Sequence, residues 1–321
     1  MTAVLRASLL LAAATGIAAW AQAPKDSLVR ANAALQAGEA DRALAMLSSL
    51  PESAESHNLK CRVLLTLNHW DAAASECALA VRMDGQNSDY HLWLGRALGE
   101  KADRASFLSA FSLGKNVREE FEESVREDPR NAEALADLAE FYYSAPAVVG
   151  GGTSKAYDVA SRLDKVDPVR AHELRGRLAE NNKDYGAAER EFRQALAVST
   201  RPAFQWMTLA SFYQRRGRVA DMESAVENGM KIAQRDSHSS VALYDAASVL
   251  TKAKRDLDLA AKLLAAYLAS PTKTEEAPAF VAHLRLARLM AQQGDTAGAH
   301  REQAAALELA HDYRPAQELK Y

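Results

Sequence analysis

Four groups of residues have types suited to chemistry: eight histidines, a run of carboxylates, one glycine-rich loop and two cysteines. The histidines (His57, His69, His91, His172, His238, His283, His300 and His311) are scattered. None falls in a His-Glu-x-x-His arrangement, which would put two imidazoles one helical turn apart around a zinc ion. Glu119, Glu120, Glu122 and Glu123 are dense but interleave with Arg118 and Arg126 at i, i+3 and i+4 spacings, the pattern of a solvated helix face. Gly150, Gly151 and Gly152 precede Thr153, Ser154 and Lys155. A phosphate-cradling loop needs Gly, four residues, then Gly-Lys-Ser/Thr after a strand. Here Lys155 follows a serine between helical flanks. The loop reads as a connector whose next helix is capped by Thr153 or Ser154, with weak anion binding assisted by Lys155 as the other reading. No Gly-x-Ser-x-Gly elbow is present. No catalytic residue, metal site or cofactor is assigned.

The elements that would position any site are helices. About a fifth of the 321 residues are Ala, aromatics are 7%, and Gly and Pro number only 15 and 9. That is the composition of a helix former with enough apolar material for a core. A net charge of −3 argues against a nucleic-acid partner. Two Cys are too few for a disulfide framework or a four-thiolate zinc site. Residues 1–21 carry a single charge, Arg6, then an apolar run ending in Ala19-Trp20-Ala21, the pattern of a cleaved signal peptide. Residues 22–312 are expected to form one helical repeat domain and 313–321 a C-terminal cap. No later stretch has the length and apolarity of a membrane span, so no stable membrane insertion is expected.

The repeat is clearest at Trp206, Leu209, Ala210 and Tyr213, followed by Gly217, Met222, Val226 and Gly229. Ala188, Phe192 and Ala195 reproduce its second half, as do Ala73, Cys77 and Ala80. Units begin near 24, 54, 88, 132, 169, 203, 240 and 280. This resembles the tetratricopeptide repeat (TPR) pattern of about 34 residues. The resemblance implies an all-α fold, a right-handed TPR-like solenoid of about eight helix-turn-helix repeats. It also implies a concave groove that binds peptides or proteins. A closer likeness, through the Ala145-Pro146…Gly150-Gly151-Gly152 stretch, is to a group of exported bacterial TPR proteins with no assigned activity.

In that register the residue after the small position of each first helix faces the groove. Arg62, Arg96, Arg177 and Arg288 stand there, with Glu140 in the fourth unit. They would form a positive stripe for an acidic or carboxylate-bearing partner, or else pair with neighbouring carboxylates. Cys61 and Cys77 fall on the two helices of one hairpin, as a disulfide or as two buried thiols. Two inserts lengthen consecutive units. The first, 101–115, reads as a short helix with Phe107, Leu108, Phe111 and Leu113 on one face, stopped by Gly114, before a new helix capped at Asn116. With Val148, Val149 and Lys155 of the second insert it would build one edge, packed internally or offered to a partner.

The expected function is a non-enzymatic scaffold for a protein or peptide, exported to the periplasm or secreted. An envelope enzyme acting on a wall or glycan substrate, or a purely structural assembly factor, is the alternative. The leader predicts that the exported protein begins at Gln22. N-terminal sequencing of the mature pool checks this, and an intact Met1 would contradict it.

Overall fold

The structure, a computed structural model, describes residues 26–321; the expected leader lies outside them. Among these residues every regular element is helical. Eight hairpins follow one another: α1 (26–37) with α2 (Ala40–Ser48), α3 (Ala54–Thr66) with α4 (Trp70–Met83), α5 (Ser88–Ala102) with α6 (Phe107–Glu127), and α7 (Ala132–Ser144) with α8 (Thr153–Leu163). Then come α9 (Pro168–Asn181) with α10 (Tyr185–Val198), α11 (Pro202–Arg215) with α12 (Val219–Ala233), α13 (Val241–Ala253) with α14 (Leu257–Ala269), and α15 (Ala279–Gln292) with α16 (Thr296–Leu309). A last short helix, α17, spans Arg314–Gln317. Side-chain oxygens of Ser53, Asn87, Asn131, Asp167 and Asp184 cap helix N-termini, satisfying backbone N–H groups that have no helical partner. No helix among the described residues is long and apolar enough to cross a membrane.

The third and fifth hairpins close where a small residue meets a bulky one. A Cβ added to Gly95 would stand 2.5 Å from the Phe121 ring, and one added to Gly176 would stand 2.6 Å from Phe192. Nothing larger than glycine fits beneath those rings, which is the packing reason for the small–bulky alternation in the sequence. In the second hairpin the same two positions hold Cys61 and Cys77, and the structure joins them in a disulfide with Cα atoms 5.3 Å apart.

The first helices of successive hairpins pack on one another (α3 on α5, α5 on α7, α7 on α9, α11 on α13) and form an inner layer. The second helices form the outer layer. The array curves until its ends meet. Leu28, Ala31, Leu35, Ala43 and Leu47 of the first hairpin share one core with Phe280, Leu284, Ala306 and Tyr313. Gly38, in the left-handed region at φ +75°, lies so close to α15 that a Cβ would stand 2.2 Å from the Ala279 nitrogen. Glu275, before α15, ion-pairs with Arg62 of α3 and accepts a 3.0 Å hydrogen bond from Gln36. Asp41 accepts from the His311 N–H at 2.9 Å. The solenoid is a closed ring. The stretch read as a terminal cap therefore contributes Tyr313, packed edge-on to Phe280 with ring centres 4.8 Å apart, to a core shared with the opposite end of the chain.

The first insert differs from its reading. Residues Phe107–Glu127 form one helix of 21 residues, unbroken at Gly114 and not recapped at Asn116. Val149 packs beside the helix at this point, where a Cβ added to Gly114 would stand 3.4 Å from its side chain. Tertiary packing thus overrides a weak local stop signal. Consequently Phe107 and Leu108 stand at the free end of α6, 85% and 80% exposed, and Val148 is also exposed. Phe111 and Leu113 are half-buried, and only Val149 is buried. These six residues form no satellite core. In the second insert Gly152, not Thr153 or Ser154, holds the N-cap position of α8. Lys155 donates to the Gly150 carbonyl at 3.0 Å and lies over the Tyr142 ring, so its charge is engaged within the loop.

Candidate functional site

The inner layer is polar, and each first helix sends side chains from the same register into it. Around α3, α5 and α7 they enclose a cavity of about 600 Å³ walled by Trp70, Trp93, Phe121 and Phe141. A second cavity of about 590 Å³ lies between α7, α9 and α11. A third, of about 1090 Å³, spans α9 to α15. The first two share Glu140 and the last two share Arg177, and these residues pair at 3.1 Å. The cavities therefore adjoin one another in a row along the inner wall.

The expected positive stripe is present in position but not in charge. Arg62 is held by Glu275 across the ring closure. Arg96 donates from Nε to Asp137 at 2.6 Å and from Nη2 to Glu133 at 3.1 Å. Arg177 is held by Glu140. Both Arg62 and Arg96 also lie over the Trp93 ring, at 5.0 and 4.5 Å from its centre. Arg288 is exposed and lines none of these three cavities. In each paired case the carboxylate comes from another hairpin, so the pairs bind repeats together. Around Arg62 and Arg96 the first cavity is acidic, with six carboxylates against two arginines.

The cation excess lies instead in the third cavity, where six Lys and Arg side chains face two carboxylates. Lys183, Arg216, Lys252 and Arg285 have no carboxylate partner among the described residues. Arg285 donates to Ser248 Oγ and stacks on Tyr244, 4.3 Å from the ring centre. Arg216 stacks on Tyr185, and its buried Nε has no acceptor. Asp245, facing the same cavity, has neither a hydrogen-bond donor nor an ion-pair partner among the described residues. Burial pushes its carboxyl up to about 6, against the pull of Arg285 and Lys252. Residue types alone did not single out these positions. Their signal is register: Asp245 and Arg285 each stand two residues before the small residue, Ala247 and Ala287, of their first helices.

A second pattern escaped a reading by linear motif. His57, His91, His172 and His283 each stand four residues before the small crossing residue, the place held by Trp206 in the sixth hairpin. Their Nδ1 atoms meet Glu76, Glu120, Glu191 and Glu302 at 2.6, 2.7, 2.8 and 2.7 Å. The four pairs tie first to second helix within four hairpins. His91 lies between Glu120 and the Gly85 carbonyl, and the bond to Glu120 raises its pKa. These histidines are structural links. Among the described residues no group of three or more His, Cys, Asp or Glu is placed to hold a metal.

Eight consecutive hairpins with a small residue at each crossing define a TPR-like helical solenoid. No protein-family model and no curated protein matches the chain. Among solved structures it is similar to a chain of the APC/C hetero-tetramer Cut9–Hcn1, with 13% identity over 87% of this chain and 57% of that one, and a TM-score of 0.41. It spans little more than half of that protein's length. It is also similar to YrrB, a TPR protein with an unusual peptide-binding site, at 15% identity over 61% of this chain and 95% of that one, with a TM-score of 0.37. A third is TTC0263, a thermophilic TPR protein from Thermus thermophilus, at 22% identity over 67% and 100% of the two chains, with a TM-score of 0.44.

Asp245 gives a measurable pH dependence. An Asp raised from 3.8 to about 6 by folding keeps its proton longer in the folded chain than in the unfolded one. The folded state then binds more protons between those values, so this group makes stability fall as pH rises from about 4 to 6. Asp245→Asn should remove that slope and stabilise the protein at pH 7.5 by roughly 1–3 kcal/mol. Chemical denaturation of both proteins at pH 5 and 7.5 checks this; a destabilised Asn variant would contradict it.

Proposed function

We propose that the protein is an exported, non-enzymatic scaffold that holds a segment of a protein or peptide partner in the trough on its inner wall. The arrangement of the three cavities in a row, adjoining at Glu140 and Arg177, carries this reading. A closed cavity would suit a small molecule, whereas a trough running from α3 to α15 suits an extended chain. Trp93, Trp70 and Phe141 offer apolar surface for its side chains. The many inner-wall ion pairs offer exchangeable hydrogen-bond partners for its backbone and polar groups.

The Cys61–Cys77 bond supports export, since disulfides persist in oxidising compartments. Carboxylates on the partner are served by the third cavity rather than by Arg62, Arg96 and Arg177, whose charges are matched within the ring. Phe107 and Leu108, exposed at the start of α6, supply a second apolar contact for the same partner.

Site-specific photo-crosslinking in living cells tests the reading. A crosslinker replacing Ser211, on the third cavity wall, should capture a discrete polypeptide, and one replacing Val219, exposed at the start of α12, should not. Equal capture at both sites, or none at Ser211, would overturn it.

A further inference from the structure

The trough has opposite signs at its two ends. In the first cavity six carboxylates face two arginines, each arginine is already paired, and Asp103 and Glu276 have no cationic partner among the described residues. In the third cavity the balance is inverted, with Lys183, Arg216, Lys252 and Arg285 left without carboxylates. The Glu140–Arg177 pair marks the crossover between them. Charges set in a concave wall act on a bound chain more strongly than charges on a convex surface, because the surrounding protein limits screening.

From this distribution we infer that the trough selects a charge-segregated segment, with basic residues against the Trp70–Trp93 cavity and acidic residues against the Lys252–Arg285 cavity. The inference rests on the trough being the binding face, and it adds the ligand's chemistry and direction. A segment laid in the reverse sense would set acids on the unpaired Asp103 and Glu276 and bases on four unpaired cations, so electrostatics fixes one orientation. Asp245 modulates the acidic end. It stands without a partner beside Arg285 and Lys252 and offsets part of their field, so its removal should strengthen the hold on acidic residues.

The test uses a random twelve-residue peptide library selected on the intact protein, with Ser211→Trp as the variant that fills the trough. The expected winners carry acidic residues at one end and basic residues at the other, in a single order, and lose binding to Ser211→Trp. Lys252→Glu, an exposed substitution, should weaken them at least threefold, and Lys252→Glu with Arg285→Gln at least tenfold. Asp245→Asn should tighten them. Peptides that need an open trough but show mixed charges, both orders, or indifference to these charge changes would overturn the inference and leave the trough as the binding face. An absence of selected peptides, or peptides that bind Ser211→Trp unchanged, would overturn both.

Discussion

The first and last hairpins solve each other's packing problem. Every hairpin of a solenoid leaves one apolar face for its neighbour, so an open array must end in polar caps at both termini. Here Leu35 and Leu47 at one end and Phe280 and Tyr313 at the other bury those faces together, and Gly38 permits the backbone contact that brings them close. Closure also sets the curvature of everything between. A ring fixes how far each hairpin turns against the next, and that in turn fixes which side chains of adjacent first helices face one another across the inner wall.

The ion pairs follow from this geometry. Arg96 reaches Asp137, Arg177 reaches Glu140 and Arg215 reaches Glu180, each across one inter-repeat boundary. Arg62 meets Glu275 at the place where the chain's two ends join, the same kind of pair with no neighbour in sequence. Within hairpins the His–Glu pairs do the corresponding work between inner and outer layers. The Arg62–Glu275 and Arg96–Asp137 pairs are partly buried and charge-assisted, and so worth more than a surface pair, whereas Arg177–Glu140 is exposed. What remains without an ion-pair partner in the three cavities is Asp103 and Glu276 in the first, Glu173 and Arg201 in the second, and Lys183, Arg216, Lys252, Arg285 and Asp245 in the third.

Much of the fold was legible because helix periodicity and the small–bulky alternation are local properties. The expected unit starts at 54, 88 and 132 coincide with the observed helices, and Gly95 and Gly176 lie under the phenylalanines as the register implied. Arg62, Arg96 and Arg177 line the inner-wall cavities. Pairing with neighbouring carboxylates was one of the two readings of these residues, but which carboxylate each meets depends on the curvature, since it lies on another hairpin. Ring closure itself depends on the sum of small rotations over eight hairpins, which no single residue encodes. The α6 extension failed differently. Gly114 and Asn116 are sound stop and start signals locally, but the helix runs through them with Val149 from the following hairpin packed beside Gly114. The His–Glu pairs were present in the sequence as a 19-residue spacing at 57, 172 and 283, visible once histidines are placed by repeat position rather than by motif.

Energy transfer between dyes attached at residues 42 and 314 tests ring closure most directly. Both positions are exposed, and they flank the contact between Asp41 and the His311 backbone. A closed ring predicts a single population with high transfer efficiency in the protein without any added partner. A low or broadly distributed efficiency would show an open arc, and the shared core of the first and last hairpins, with the inner-wall geometry built on it, would be contradicted.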